Sequence, residues 1–328
     1  MSENKEKKVS IGGQALIEGI MMQGPKGAAM SVRLPSGEIE TETLEVKKLK
    51  DKFKPAGWPL IRGIVNMVES LTFGFKCLEK SAEKAGLDDD TDPEKMSKLD
   101  KWISDHFGPK MMAVVTGISM VLGCGLAFVL FFYLPTFLVD TVDKYLFKDA
   151  LANLHPLFEG VMRMIIFVAY IWLVSKIPDI KRVFMYHGAE HKSIFCYEQG
   201  LELTVENVRK QQRFHPRCGT SFIFVILIIS ILISSVLVVA FPGIDEVRAV
   251  WMAIKLLIVP LTVGIGYEFI RYAGKHDNAL VKVLSAPGLW MQRLTTQEPT
   301  DDIIEVGIES IKAVLFDTEE NKSEEDEA

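Results

Sequence analysis

Apolar and polar positions are sharply segregated along this chain. Four apolar runs stand out, at Met111–Leu134, Leu157–Val174, Ser221–Phe241 and Trp251–Tyr272. Each is close to the roughly 20 residues that a helix rising about 1.5 Å per residue needs to cross the hydrocarbon of a bilayer. The first carries no charge and is expected to end at Pro135, and the third is equally free of charge. The second is marked by Glu159 and Arg163 near its start, and the fourth by Lys255 near its start and by Glu268 and Arg271 near its end. Two uncharged runs of this length argue against buried helices of a soluble protein.

The flanking segments follow other periods. Ser31–Leu34 and Glu38–Val46 read as strands joined by a Pro35-Ser36-Gly37 turn. The glycines ahead of them, at 12, 13, 19 and 24, read as tight turns of the same small sheet. Close approach of backbone to a ligand is the alternative, but GxxxxGK[ST] spacing is absent and a phosphate loop is not supported. Trp58–Leu78 is apolar on one face and broken by Arg62, Asn66, Glu69 and Lys76, as in a helix lying at a membrane interface or packed on the spans. Leu284–Leu294 has the same character. Thr300-Asp301-Asp302 caps a helix to about Phe316, with Ile304, Ile308, Ile311 and Leu315 on one stripe. There is no internal repeat.

The expected fold class is mainly α: a polytopic membrane protein with four transmembrane helices, a small N-terminal β-rich unit and interfacial or amphipathic helices. The expected division is a cytoplasmic β-rich unit at 1–57, amphipathic helices and linker at 58–110, and a four-helix membrane domain at 111–275. Within that domain lies a cytoplasmic loop, 176–217. Cytoplasmic helices at 276–316 and a disordered acidic tail at 317–328 complete the chain.

Charge adds a topology. The stretch 176–217 carries eight Lys and Arg, whereas 135–156 carries only Lys144 and Lys148, and 242–250 only Arg248. The positive-inside rule then puts both termini and the central loop in the cytoplasm of a bacterial cell, with two short hairpins outside. Met1 to Lys8 is polar, so no cleavable signal peptide is expected. The net charge of −6 owes much to the acidic tail. No basic stripe interleaves with aromatics, which disfavours nucleic acid as a partner. The lipid bilayer is the implied partner, with a membrane-protein partner or oligomer also compatible. The four Cys form no CxxC pair and imply no disulfide framework. Cys124, inside an apolar run, reads as a small hydrophobe, and Cys196 as buried packing.

The candidate chemistry sits in the central loop. His187-Gly188-Ala189-Glu190-His191 is followed by His215-Pro216-Arg217-Cys218. Three of the chain's six His, one of its four Cys and a Glu thus gather in 32 residues. His-x-x-Glu-His sets two imidazoles four residues apart, on one face if helical, where both can ligate one cation. Glu190 beside them can orient water and take its proton, in the order of the inverted zincin motif. A divalent metal, zinc first, is therefore the expected cofactor. The third ligand is left open among His215, Cys218 and Glu268. Arg213 and Arg217 read as topology signals or lipid-headgroup contacts.

The same residues carry a family resemblance. The chain resembles the YqhQ-like family of bacterial integral-membrane proteins over about residues 9–316. The resemblance rests on Gly12 through Ala15 and Glu18 through Met22, on Tyr186 through Lys192, and on His215 through Phe222. Tyr267-Glu268 and Pro287 through Thr296 extend it. It implies a membrane location and metal dependence, with no settled reaction.

Three functions compete on this reading. One is a metal-dependent hydrolase at the cytoplasmic membrane face. Another is a non-catalytic scaffold, or an assembly or regulatory factor, stapled by a structural metal or a hydrogen-bonded His cluster. The third is a transporter, disfavoured because the spans show no evident chain of buried ionisable residues and no paired broken helices.

Overall fold

The computed structural model describes residues 11–24, 27–46, 48–86, 117–148, 154–273, 276 and 278–326. The linker before the first span and that span's first residues, 111–116, lie outside the described residues. Two compact units form. One is assembled from residues 1–88, 173–221 and 285–328, the other from 89–172 and 222–284.

The first unit is built around a four-stranded antiparallel meander: β1 (Gly12–Leu16), β2 (Gly19–Gln23), β3 (Ala28–Arg33) and β4 (Ile39–Leu44). Gly37, at φ +91, closes the last hairpin. Strands β2 and β3 are buried almost throughout rather than alternating, because helices cover both faces of the sheet. One face presents Leu16, Met21, Met30 and Val32 to Cys77, Phe73 and Leu78 of α1 (Ile61–Lys84). The other presents Ile20, Met22 and Ala29 to α4 (Pro178–Gln199) and α9 (Asp301–Asp326) through Tyr186, Ala189, Ile303, Val306 and Ile311. Each such side chain stabilises the fold by about 1.5–3 kcal/mol when fully buried. α1 also keeps a second apolar stripe, Ile61, Val68, Leu71 and Phe75, exposed together with Trp58.

The stretch 176–217, expected as a loop, is mostly helical. Pro178 at the first turn and Asp179 favour the start of α4, and Gly200 at φ +75 caps its end. A short α5 (Val205–Arg209) follows, with Thr204 accepting the Asn207 N–H. Its polar composition masks this helix, because one face is buried by sheet and α9 rather than by a long apolar stripe. α9 stays helical past Phe316 into residues expected as a disordered tail. No Gly or Pro follows Gly307 to break it.

The second unit holds helices long and apolar enough to cross a membrane, which makes this a membrane protein. They are α2 (Gly117–Phe147), α3 (His155–Val174), the Phe222–Ala240 part of α6 (Gly219–Ala240), and α7 (Arg248–Ala273). The helix does not stop at Pro135 as expected. A π-turn at Val129–Tyr133 precedes the proline and absorbs its missing N–H, so α2 runs on to Phe147. The expectation that the spans lack linked buried ionisable residues is also overturned. Glu159 of α3 lies 2.5 Å from Lys255 of α7 and 2.7 Å from Arg163 one turn on, and Lys255 is 3.2 Å from Thr136 of α2. These charges, which read in sequence as marks of span boundaries, face one another inside the bundle. After α7, α8 (Ala279–Thr295) leads back to the first unit.

Candidate metal centre

His187 and His191 stand one turn apart on α4, with ring centroids 4.5 Å apart. Each imidazole spends its Nδ1–H on a main-chain carbonyl: His187 on Thr295 at 2.8 Å, His191 on Arg213 at 2.5 Å. That fixes the tautomer and leaves Nε2 of each ring as the lone-pair nitrogen, the arrangement usual for metal-bound histidine. Nε2 of His187 lies 3.3 Å from Sγ of Cys218. Cys218 closes a turn onto the His215 carbonyl immediately before α6. One ligand-type atom each from His187, His191 and Cys218 lies within 4.8 Å of the other two. Tetrahedral zinc with about 2.1 Å to nitrogen and 2.3 Å to sulfur needs ligand atoms about 3.3–3.6 Å apart. The trio therefore fits zinc after a closure of about an ångström, and its thiolate and imidazoles are the donors zinc prefers.

His215 is placed differently. Its main chain is clamped by the Gln292 carboxamide, which accepts the His215 N–H at 2.7 Å and donates to its carbonyl at 2.8 Å. Its Nδ1 accepts the Arg217 N–H at 3.3 Å, and its Nε2 faces Glu198 at 3.6 Å. The ring packs between His191 and Phe195. Burial, then the neighbouring His191, lower its pKa to about 4, so it is a neutral packing partner of the trio. Glu268 lies on α7 in the second unit, half-buried.

Glu190 is 6% exposed and turned toward β1, where its carboxylate accepts the backbone N–H of Gly13. Burial pushes its pKa up to about 7, opposed by nearby His187 and by that hydrogen bond. Gly13 permits the approach: a Cβ there would stand 2.8 Å from Glu190 Cγ. Gly13 thus lies in strand β1 rather than in the expected turn and serves close contact with a side chain of α4. Gly188 plays the same part on the other side, where a Cβ would strike the Gln297 carbonyl. The Gln297 N–H also bonds to Phe184 O at 2.8 Å. Buried Lys192 pairs with Glu298 and donates to the Arg209 carbonyl. Glu18 in the β1–β2 turn binds Arg182 and Tyr186 of α4, locking sheet to helix. Burial, then Glu18, raise the Tyr186 phenol above its ordinary range.

Reading single residues in sequence missed Gln292, Thr295 and Gly13 as supports of the cluster. Their signal lies in the Pro287–Thr296 stretch and in Gly12–Ala15, whose glycines read in sequence as turns.

The chain matches the family described as "Protein of unknown function (DUF1385)" over residues 58–317. It is 35% identical over 312 residues to the uncharacterized protein YqhQ of Bacillus subtilis (strain 168), covering 93% of this chain and 92% of that one. No solved structure matches it.

Proposed function

This chain belongs to the DUF1385 family of proteins of unknown function, and from that footing we propose that it is a membrane-anchored, metal-dependent hydrolase. Its centre is His187, His191 and Cys218, facing the cytoplasm. One observation carries the reading: two imidazoles with main-chain-anchored Nδ1 atoms converge with one thiol. Three protein ligands leave a fourth position for substrate, the mark of catalytic rather than structural zinc. The cation would supply Lewis acidity toward a carbonyl or phosphoryl oxygen and toward water.

The chain's own residues do the rest. Thr295 and Arg213 carbonyls hold both rings in register. Gln292 and His215 fix the turn that delivers Cys218. Glu190, whose carboxyl is poised near neutrality beside His187, takes the proton of the attacking water and returns it to the leaving group. Cys218 directly precedes α6 and α4 begins shortly after α3, so the centre is tethered to two spans. Its substrates are correspondingly membrane-associated molecules.

One observation favours a second reading, a structural staple. Glu190 is enclosed and bonded to β1, and the cluster ties together α4, the turn at 213–218 and the end of α8. Glu190→Gln separates the two. Catalysis predicts normal metal content and melting temperature with failure to complement a strain lacking the protein. The staple predicts that metal content and melting temperature fall together, with any functional loss tracking lost protein.

A further inference from the structure

In α1, Gly74, Cys77 and Ser81 turn toward the sheet. Cys77 packs with Leu16 and Met30, a Cβ on Gly74 would strike the Gln14 carboxamide, and the Ser81 hydroxyl accepts the Ile17 N–H at 3.2 Å. The other side of the helix is apolar as well. Ile61, Val68 and Phe75 recur at seven-residue spacing, close to two turns, and Leu71 lies beside them. By helical rise the stripe is about 21 Å long. Val68, Leu71 and Phe75 are each more than half exposed. Single exposed apolar side chains are ordinary, but a continuous stripe marks a surface that meets something.

The segment that enters α1 extends this face and charges it. A helical turn, Leu49–Lys52, and a tighter one, Lys54–Gly57, precede the helix. The Leu49 N–H donates to the Glu69 carboxylate at 2.5 Å, which folds the segment back against the third turn of α1. Phe53 and Trp58 are more than half exposed. At Leu60 the backbone takes φ +67, a region that side chains rarely adopt. Across this bend Trp58, Leu60 and Ile61 all remain exposed. Lys50, Lys52 and Lys54 stand among them, exposed and without an ion pair among the described residues. Asp51 is the only acid between residues 48 and 62. The far end of the helix differs. There Lys80 and Lys84 are bound to Glu42 and Glu40 of β4, while Glu79 and Glu83 are exposed. The face is thus apolar along its length and cationic at its N-terminal end.

We propose that this face docks the first unit on a surface of anionic phospholipid. Ile61, Val68, Leu71 and Phe75 enter the acyl boundary, as the apolar side of an interfacial helix does. Phe53 and Trp58 sit at headgroup level, where aromatic rings concentrate in bilayers. Lys50, Lys52 and Lys54 reach the phosphates. Glu79 and Glu83 hold the other end of α1 shallower, so the helix enters tilted, its N-terminal end deepest. Charge complementarity selects lipid over a protein partner: unpaired lysines interleaved with apolar side chains meet their match anywhere on a fluid surface of phosphates and acyl chains. The spans already hold the chain in a bilayer, so docking is intramolecular and succeeds with weak intrinsic affinity. It places the first unit, and with it the candidate metal centre, under the control of the membrane's anionic lipid content.

The test uses the full chain in nanodiscs of phosphatidylcholine alone, and of phosphatidylcholine with an equal part of phosphatidylglycerol. A fluorescent amino acid in place of Leu71 reports its surroundings through quenching by aqueous acrylamide and by spin-labelled lipid. Lipid quenching should dominate with phosphatidylglycerol present, and acrylamide quenching without it. Each lysine near an anionic surface favours docking about 5-fold. Lys50→Gln, Lys52→Gln and Lys54→Gln together should therefore lower the docked-to-free ratio by roughly 100-fold at low salt, and by less as salt screens the charges. All three side chains are exposed, so the melting temperature should not change. Arginine at the same three positions should keep the docked state. Equal lipid quenching in both discs would overturn the proposal, as would undiminished lipid quenching in the triple glutamine variant. Acrylamide quenching in both discs would give the face to a protein partner instead, and shielding from both quenchers would give it to the chain's own spans; either result overturns it too.

Discussion

Gly13→Ala perturbs the point where the N-terminal sheet touches the Glu190 side chain beside the His187–His191 pair. The added methyl would lie 2.8 Å from Glu190 Cγ, 2.8 Å from Met22 Sδ and 2.9 Å from Met21 O. All three are shorter than side chains tolerate, and one is to backbone that cannot swing away. Overpacking of this kind costs about 1–3 kcal/mol. For a unit of this size each kcal/mol moves the melting temperature by roughly 2–4 °C, so a fall of roughly 2–12 °C is expected. Gly12 is the internal control. It is adjacent in β1, but a Cβ there meets nothing within 4 Å, so Gly12→Ala should stay within about 0.5 kcal/mol of the natural protein. Thermal unfolding can be followed with a thiol-reactive fluorophore. Cys77 and Cys196 are buried in the first unit and react only as it opens, whereas exposed Cys124 and partly exposed Cys218 contribute a background common to both variants. Equal melting temperatures for the two alanine variants would refute the packing of β1 on Glu190.

Three further outcomes are expected. Reporter fusions at residue 145 and at residue 205 should read outside and inside respectively, and an outside signal at 205 would remove the cytoplasmic placement of the centre. Glu42 is held below its ordinary value of 4.5 by its hydrogen bond to Lys80, with Lys84 adding to it. A depressed carboxylate contributes stability above its unfolded pKa and loses it as pH falls through the folded one. Acid unfolding below about pH 4.5 should therefore be flatter in Glu42→Gln, and an unchanged slope would discount these ion pairs. A benzophenone amino acid at Phe75, on the exposed stripe of α1, should give phospholipid adducts in native membranes. Adducts to protein alone would assign that stripe to a protein partner.

The spans were legible because hydrocarbon demands long uncharged runs, and α6 meets that demand with no charged residue at all. The strands on either side of Gly37 were legible from their turn. Harder to see was α4, whose buried face holds His191, Lys192 and Glu190, polar residues satisfied only by partners distant in sequence. The same holds for the ion network of Glu159, Arg163 and Lys255. Helical spacing hints at a shared stripe on α3, but the partner on α7 is supplied by tertiary packing. In the cluster, spacing picked out His187 and His191. That the Cys218 thiol stands beside that pair depends on a turn held at His215 by Gln292, 77 residues away.

Metal content of the purified full chain tests the central claim most directly. The natural protein should carry about one zinc per chain, and replacing His187, His191 or Cys218 with alanine should lower retention by more than the roughly 10–100-fold typical of supporting residues. His215→Ala, outside the trio, should lose less than any of the three. Unchanged metal in the His187→Ala, His191→Ala double variant would contradict the account and leave the cluster as a hydrogen-bonded knot of α4.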